Sequence, residues 1–285
     1  ACGNLSASVG PFAVEEGIVP AEDGLATVRV YNTNTNKIYQ AHFDVREGHA
    51  VETGDYEMSG VGSTGAKIRL DYRDPGGAKS PSFLPSGKVI DTLNLSDGRT
   101  IKASLVDATN PVVFVPAEAM GVTGGELPEV LEANVELMRD LDEIRRLSGV
   151  IMGLASDPQD VPLSNPKVAL VSSPAGYTTI SGEVLPGDDY DIGVRIVSME
   201  RMHRAVTGTG GMCLAAACQV TGSIPQQYSP DLEAGKDVRI GTPSGVMTVA
   251  AKATQNANGD WVAESVTVYR TQRRLMEGNV ILPRS

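Results

Sequence analysis

The stretch Ala1-Cys2-Gly3-Asn4-Leu5-Ser6-Ala7-Ser8-Val9-Gly10-Pro11-Phe12-Ala13-Val14-Glu15-Glu16-Gly17-Ile18-Val19-Pro20 has a second version far down the chain. There it reads Thr207-Gly208-Thr209-Gly210-Gly211-Met212-Cys213-Leu214-Ala215-Ala216-Ala217 and closes on Gly222-Ser223-Ile224-Pro225, in register without a gap. In both copies a loop of small residues feeds the start of a helix. Such a junction is an anion site, because the first amides of a helix lack intrahelical acceptors and the dipole adds positive potential. Two such junctions, one bearing a thiol and the other a threonine at the matching place, predict a cleft between two related halves. A carboxylate substrate pinned from both sides fits it.

Around these two helices the pattern is mostly strand. Residues 26–31 and 38–45 alternate apolar and polar on either side of a polar turn. Residues 89–95 and 100–106 flank Ser96-Asp97-Gly98-Arg99, a hairpin turn. Residues 167–172, 191–198, 237–240, 246–251 and 261–270 read as further strands, with a turn over 256–260. Residues 74–81, rich in Pro, Gly and Ser, read as a flexible surface excursion. One long helix is predicted from Pro128 to about Gly149, with Leu131, Val135, Met138, Leu141, Ile144 and Leu147 on its packed face. Together these elements give an α+β fold with antiparallel strands and one central helix in each half.

Composition narrows the function. The 285 residues carry a net charge of −11, which argues against nucleic acid and against an anionic membrane surface. An anionic ligand must then be held by local donors, since the overall field repels it. The three cysteines, Cys2, Cys213 and Cys218, form no disulfide framework. Their odd number, with no apolar run of membrane-spanning length and no visible signal peptide, fits a reducing, cytoplasmic setting. The chain begins without Met and inside a motif, so it reads as a fragment whose first domain lacks its N-terminal part.

Cys2 precedes Gly-Asn rather than sitting on an apolar helix face, and is read as functional; a buried structural thiol is the commoner fate of free cysteine. An ordinary thiol has a pKa near 8.5, and a helix N-terminus favours the thiolate by up to about 2 kcal/mol, roughly 1.5 pKa units. That poises it near neutrality, where one group can both remove and return a proton. Cys213 and Cys218, among Met212, Leu214 and the alanines, are core. The run Thr207-Gly208-Thr209-Gly210-Gly211 is no dinucleotide fingerprint, because no apolar strand leads into it and no acidic strand end follows at the required distance. Thr207 and Thr209 hydroxyls with the loop amides suit a carboxylate. His203 and Arg204 either add positive charge there or are simply solvated, and Gly241-Thr242-Pro243-Ser244-Gly245 is either a plain turn or a site loop. No Cys/His cluster has metal-ligand spacing, and no G-x-S-x-G elbow is present.

Beyond the two glycine-rich motifs, Phe83-Leu84-Pro85-Ser86-Gly87, Leu105-Val106-Asp107-Ala108-Thr109-Asn110-Pro111, His203-Arg204-Ala205-Val206-Thr207-Gly208, Pro243-Ser244-Gly245 and Arg273-Arg274-Leu275-Met276-Glu277-Gly278 form a specific set. With them the chain resembles, over essentially its whole length, the 2-methylaconitate isomerase family of the diaminopimelate-epimerase-like fold, which includes 3-methylitaconate isomerase and 4-oxalomesaconate tautomerase. The resemblance implies two similar domains, each a β-barrel-like antiparallel sheet around a central helix, with the active site between them and no cofactor. We expect residues 1–99 and 268–285 in the first domain and 100–267 in the second. It implies an allylic 1,3-proton shift or cis–trans isomerisation of a small unsaturated di- or tricarboxylate. Cys2 is the expected acid/base. Gly3, Asn4, Arg204, Thr207, Gly208, Thr209, Ser244 and Gly245 are expected at the substrate, with Asn110 and His203 as further candidates. Epimerases of this fold place two cysteines across the substrate carbon. Thr207 stands where the second belongs, which argues against racemisation. Single-cysteine members are thought to use an upstream lysine as the partner base, in a region this sequence does not contain. An epimerase or phenazine-pathway-type isomerase on the same fold, or a non-catalytic carboxylate-binding protein, is the alternative. The expected partner is a small anion, not nucleic acid or membrane, and a homo-oligomer is compatible with the sequence.

Overall fold

The computed structural model describes residues 4–229, 232–233, 236–279 and 281–282. Helix α1 (Leu5–Glu15) buries Ser6, Ala7, Gly10, Pro11, Ala13 and Val14. Its small residues let it lie close to the sheet: a Cβ on Gly10 would sit 2.8 Å from the Phe43 ring and 2.9 Å from Ala41 Cβ. Strands β1 (Gly24–Asn32) and β2 (Lys37–Arg46) form the expected hairpin. In β2 the alternation is direct, with Tyr39, Ala41, Phe43 and Val45 buried in a period of two. The short β3 (His49–Ala50) and β4 (Ile68–Arg73) both pair with β2.

The next elements are β5 (Asp91–Asn94) and β6 (Thr100–Asp107), paired across the 96–99 turn, and β7 (Pro111–Pro116). Then come helices α2 (Pro128–Ala133) and α3 (Val135–Ile151) and strand β8 (Lys167–Ser172). Strands β9 (Tyr177–Thr178), β10 (Val184–Leu185), β11 (Ile192–Ser198) and β12 (Arg201–Met202) lead into helices α4 (Gly208–Cys218) and α5 (Ile224–Gln227). Strands β13 (Asp237–Thr242), β14 (Gly245–Gln255) and β15 (Trp261–Arg270) complete a mostly sheet α+β fold.

The main path of one continuous sheet runs β1-β2-β4-β15-β14-β13-β11-β8-β7-β6-β5 among the described residues. Pairing is antiparallel except at two places, β7 with β8 and β11 with β13. These parallel pairs correct the all-antiparallel expectation. Strand β7 is apolar and buried along almost its whole length, the pattern of a strand covered on both faces. The expected domain limits meet continuous pairing: residue 99 lies in the β5–β6 turn, and residue 268 is inside β15, bonded to β4 and β14. After β15, the Arg274 amide donates to Glu52 and its guanidinium pairs with Glu16 at 2.9 Å.

The helix predicted from Pro128 is two helices. Asn134 breaks it at φ −85°, ψ 90°, and its side chain accepts from the Leu137 amide at 3.0 Å, starting α3 afresh. An Asn side chain competes with the backbone in this way, so a continuous apolar period did not ensure a continuous helix. The break also resets the phase: Val135 is 77% exposed, while Leu131, Leu137, Leu141 and Ile144 are buried. Gly149 does not end α3 but lies within it, against Val161.

The 74–81 loop is likewise no loose excursion. The buried Asp107 carboxylate accepts from the Lys79 and Ser80 amides and the Ser80 hydroxyl, each at 2.8 Å. Gly77 donates to the Asp107 carbonyl and Thr109 to the Pro75 carbonyl, both at 2.9 Å. The loop is thereby strapped over the end of β6.

Gly149→Ala should destabilise the protein by about 1–3 kcal/mol in denaturant unfolding, the range for overpacking. The new Cβ would lie 2.4 Å from Val161 Cγ1, and the gain in helix propensity, about 1 kcal/mol, is too small to offset that. An unchanged or raised midpoint would show that Val161 yields freely.

Candidate active site

Helix α4 is buried from Thr209 to Cys218. It packs on β14, β15, β7 and β6, as a helix apolar all round must. Its first turn emerges at a cleft. Thr207 caps it in extended geometry: Oγ1 accepts from the Gly210 amide at 3.1 Å and the carbonyl from the Gly211 amide at 2.9 Å. The Gly208 and Thr209 amides, the first two of the helix, have no intrahelical acceptor. Thr109 Oγ1 donates to the Thr209 carbonyl at 3.1 Å, tying the β6–β7 corner to this turn and setting Asn110 beside it.

The cleft encloses about 1160 Å³. Asn4, at the start of α1, lines it with Asn110, His203, Thr207, Gly208 and Thr209, so both glycine-rich junctions reach one cavity. Cys2 and Gly3 lie outside the described residues. Arg204 is not a lining residue; its exposed guanidinium pairs with Glu129 instead. Ser244 and Gly245 belong to the β13–β14 turn and line a neighbouring cavity of about 620 Å³. Ser244 Oγ donates to the Arg204 carbonyl at 2.6 Å, and Thr242 Oγ1 to the Gly245 carbonyl at 2.9 Å. Gly245 needs its φ of +117°, and a Cβ there would meet Ser59 Oγ at 2.9 Å. This turn therefore clamps the 203–209 loop from behind.

The structure adds residues the sequence gave no reason to choose. Lys167 opens β8, with Nζ donating to Ser198 Oγ at 2.9 Å and the Ser164 carbonyl at 3.4 Å. Arg270 closes β15 and donates through Nη1 to the Tyr269 carbonyl at 2.7 Å. Both line the cleft. Burial lowers both their pKa values, since a low dielectric disfavours the charged form. Tyr56 and Tyr269 also line the cleft, and Lys67 Nζ lies 3.9 Å from the Tyr269 ring centroid and 5.2 Å from that of Tyr56. In sequence, a lysine starting a strand and an arginine ending one look like ordinary edge residues; only the strand order brings them to one cavity.

His203 is held by its amide to the Ile196 carbonyl at 2.8 Å, while Nδ1 accepts from the Ala205 amide at 3.1 Å. Burial pushes its pKa below the ordinary value, and nearby Lys167 pushes the same way. Among the described residues, Glu57 is the one carboxylate lining the cleft. Cys213 and Cys218 are fully buried, as expected of core thiols. Burial raises both pKa values, that of Cys218 to about 12, so neither supplies a thiolate. No helix in the described residues is long and apolar enough to cross a membrane.

A mostly sheet α+β fold with few helices, here with the starts of α1 and α4 at one cleft, places the chain in the diaminopimelate-epimerase-like class. A hydroxyproline epimerase from Agrobacterium vitis shares the fold at a TM-score of 0.50 and 14% identity, over 96% of this chain and 66% of that one. Within this class the chain belongs to the PrpF family, whose model, described as PrpF protein, matches residues 1–283. It is 36% identical to the 3-methylitaconate isomerase of Eubacterium barkeri, over 100% of this chain and 74% of the relative. It is 34% identical to the 2-methyl-aconitate isomerase of Cupriavidus necator, over 99% and 73%. A crystal structure of methylitaconate-delta-isomerase superposes with a TM-score of 0.87 at 36% identity, over 98% of this chain and 72% of that one. The chain is an isomerase.

The His203 ring should be neutral at pH 7. Titration by NMR, with the resonance assigned by His203→Gln among the 3 histidines, should give a midpoint below the ordinary value of about 6.5. Because burial holds the folded pKa below the unfolded one, the unfolded chain takes up the proton first. The stability from this group is thus complete above about pH 6.5 and is lost as the pH falls below it. A midpoint above the ordinary value would contradict the burial argument.

Proposed function

We propose that the protein isomerises a small unsaturated di- or tricarboxylate, of the methylaconitate, methylitaconate or oxalomesaconate kind, without a cofactor. The observation that carries this reading is the likeness to 3-methylitaconate isomerase over the entire chain. The basic cleft and the α4 N-terminus support it. The reaction is an allylic 1,3-proton shift or its cis–trans equivalent. A base removes a proton from a carbon conjugated to a carboxylate or ketone, and charge spreads into a dienolate. Fixed donors hold that charge, and the proton returns to another carbon. The Gly208 and Thr209 amides and the Thr207 hydroxyl are suited to the carboxylate that becomes part of the dienolate, since they are already oriented and need no reorganisation. We assign one proton transfer to Cys2, whose place before the first helix favours its thiolate. We also infer a cytoplasmic protein, in keeping with the free buried thiols Cys213 and Cys218.

Incubation with aconitate-, itaconate- and oxalomesaconate-type acids in D2O, followed by proton NMR, should show deuterium entering an allylic position as the double bond moves or changes geometry. Exchange in a chiral amino acid, with none in these acids, would establish an epimerase instead.

Cys2→Ser should fold normally and lose about two orders of magnitude or more in turnover, the scale of one acid–base group. Full activity in the folded variant would remove Cys2 from the mechanism.

A further inference from the structure

Three arginines of this fold are buried, and they are satisfied very unequally. Arg145 donates to the Val161 and Pro162 carbonyls and pairs with Asp142 at 2.7 Å. Arg195 donates to the Glu126 and Val194 carbonyls and lies 4.7 Å from the Tyr177 ring centroid. Arg270 is 8% exposed and makes one hydrogen bond among the described residues, to the Tyr269 carbonyl. Its Nε is buried and finds no acceptor there, as is true of Arg195 Nη2, and the Tyr72 and Tyr56 phenols are the neighbours that act on its charge. No carboxylate of the described residues pairs with it. Of the three, it alone lines the cleft. A buried guanidinium without an anion is strongly unfavourable, so its place in the wall is accounted for when a ligand supplies the anion. Lys167 repeats the pattern at the start of β8: its ammonium is partly buried, hydrogen-bonded to one hydroxyl and one carbonyl, and paired with no carboxylate among the described residues.

Strand order puts these cations on different walls. Arg270 comes from the end of β15 and Lys167 from the start of β8, with β14, β13 and β11 between them in the sheet. We propose that Arg270 and Lys167 are separate carboxylate anchors, so that the cleft selects ligands carrying at least two carboxylates and discriminates against monocarboxylates. This rests on the polycarboxylate reading above and replaces Arg204, which is turned to Glu129, as the source of positive charge. Arg270 acts by planar, forked donation to one carboxylate, and Lys167 acts as a point charge beside the α4 N-terminus.

The test is calorimetric binding to the intact chain of propane-1,2,3-tricarboxylate, which is saturated and cannot undergo an allylic shift, against glutarate and butyrate. The unsubstituted protein should bind the tricarboxylate tightest and butyrate weakest. Arg270→Gln should weaken the tricarboxylate by about 30-fold or more, the loss expected when one member of a buried charge pair is removed. Butyrate should change by less than about 3-fold, since one remaining anchor suffices for it. Lys167→Met should show the same selectivity. If Arg270→Gln does not fold, Arg270→Lys serves: it keeps the charge but loses the fork, and should weaken the tricarboxylate by about 10-fold. Isomerisation kinetics should show KM rising more than kcat falls in both anchor variants. Absent tricarboxylate binding by the unsubstituted chain, or folded variants that keep its affinity, would overturn the proposal. Binding that depends on Arg270 in a protein that isomerises none of the unsaturated acids would uphold the anchors and refute the proposed reaction. Isomerisation unaffected by either substitution would do the reverse.

Discussion

How near helix α4 can come to strand β14 decides where the site lies. A Cβ on Gly211 would sit 2.8 Å from Met247 Sδ, and one on Gly210 would sit 2.9 Å from Ile196 Cδ1 and 2.6 Å from Thr207 Oγ1. Two glycines in the first turns of a helix cost about 0.5–1 kcal/mol each in backbone entropy. Here they are offset by a helix buried on every side from its second residue onward. Both ends are fastened: Thr109 holds the Thr209 carbonyl at 3.1 Å, and Ser223 Oγ donates to the Ala217 carbonyl at 2.7 Å. With α4 fixed in depth and rotation, its first amides can open only into the cleft, and the 203–209 loop must follow the path that Ser244 clamps.

The charge distribution complements this geometry. A net charge of −11 gives an approaching anion no long-range help. At physiological ionic strength the field is screened beyond about 8 Å. Affinity must therefore arise in the last few ångströms, where a helix terminus and partly desolvated cations act in a lower dielectric. The same burial that lowers the pKa values of Lys167 and Arg270 strengthens the pull of their charged forms on an anion once it arrives. The cleft is basic only locally, which suits a compact ligand better than an extended polyanion.

The sequence was most legible where one local rule decided the outcome. The helices that follow the two glycine-rich motifs, the 96–99 hairpin and the alternating strands depend on neighbours a few residues apart, and these elements formed close to where they were expected. It was least legible where a side chain acted on distant backbone. Asp107 straps down residues 77–80 through bonds no pattern in that loop announces. Asn134 divides a helix whose apolar period is nearly unbroken. The cleft divided in the same way: the α4 loop could be read from its own residues as lining it, whereas Lys167 and Arg270 reach it only through the order of strands. Arg204 is a cation beside a site motif in one dimension; in three, Glu129 stands next to it.

Thr207 shows how packing constrains chemistry. An aliphatic hydroxyl is too weak an acid to exchange protons with carbon at neutral pH unless a base activates it. Here Oγ1 accepts from the Gly210 amide in the helix cap, and among the described residues its hydroxyl is hydrogen-bonded to no base that would activate it. Its own proton is still available to donate, which suits Thr207 to hydrogen-bonding a carboxylate better than to exchanging protons with carbon. Racemisation needs proton-transfer groups on both faces of one carbon, and this half of the cleft offers hydrogen-bond donors and cations in their place. A proton shift along a conjugated system needs no such symmetry. Removal and return occur at different carbons, and what the opposing wall must supply is a fixed, positive environment for the spread charge between them.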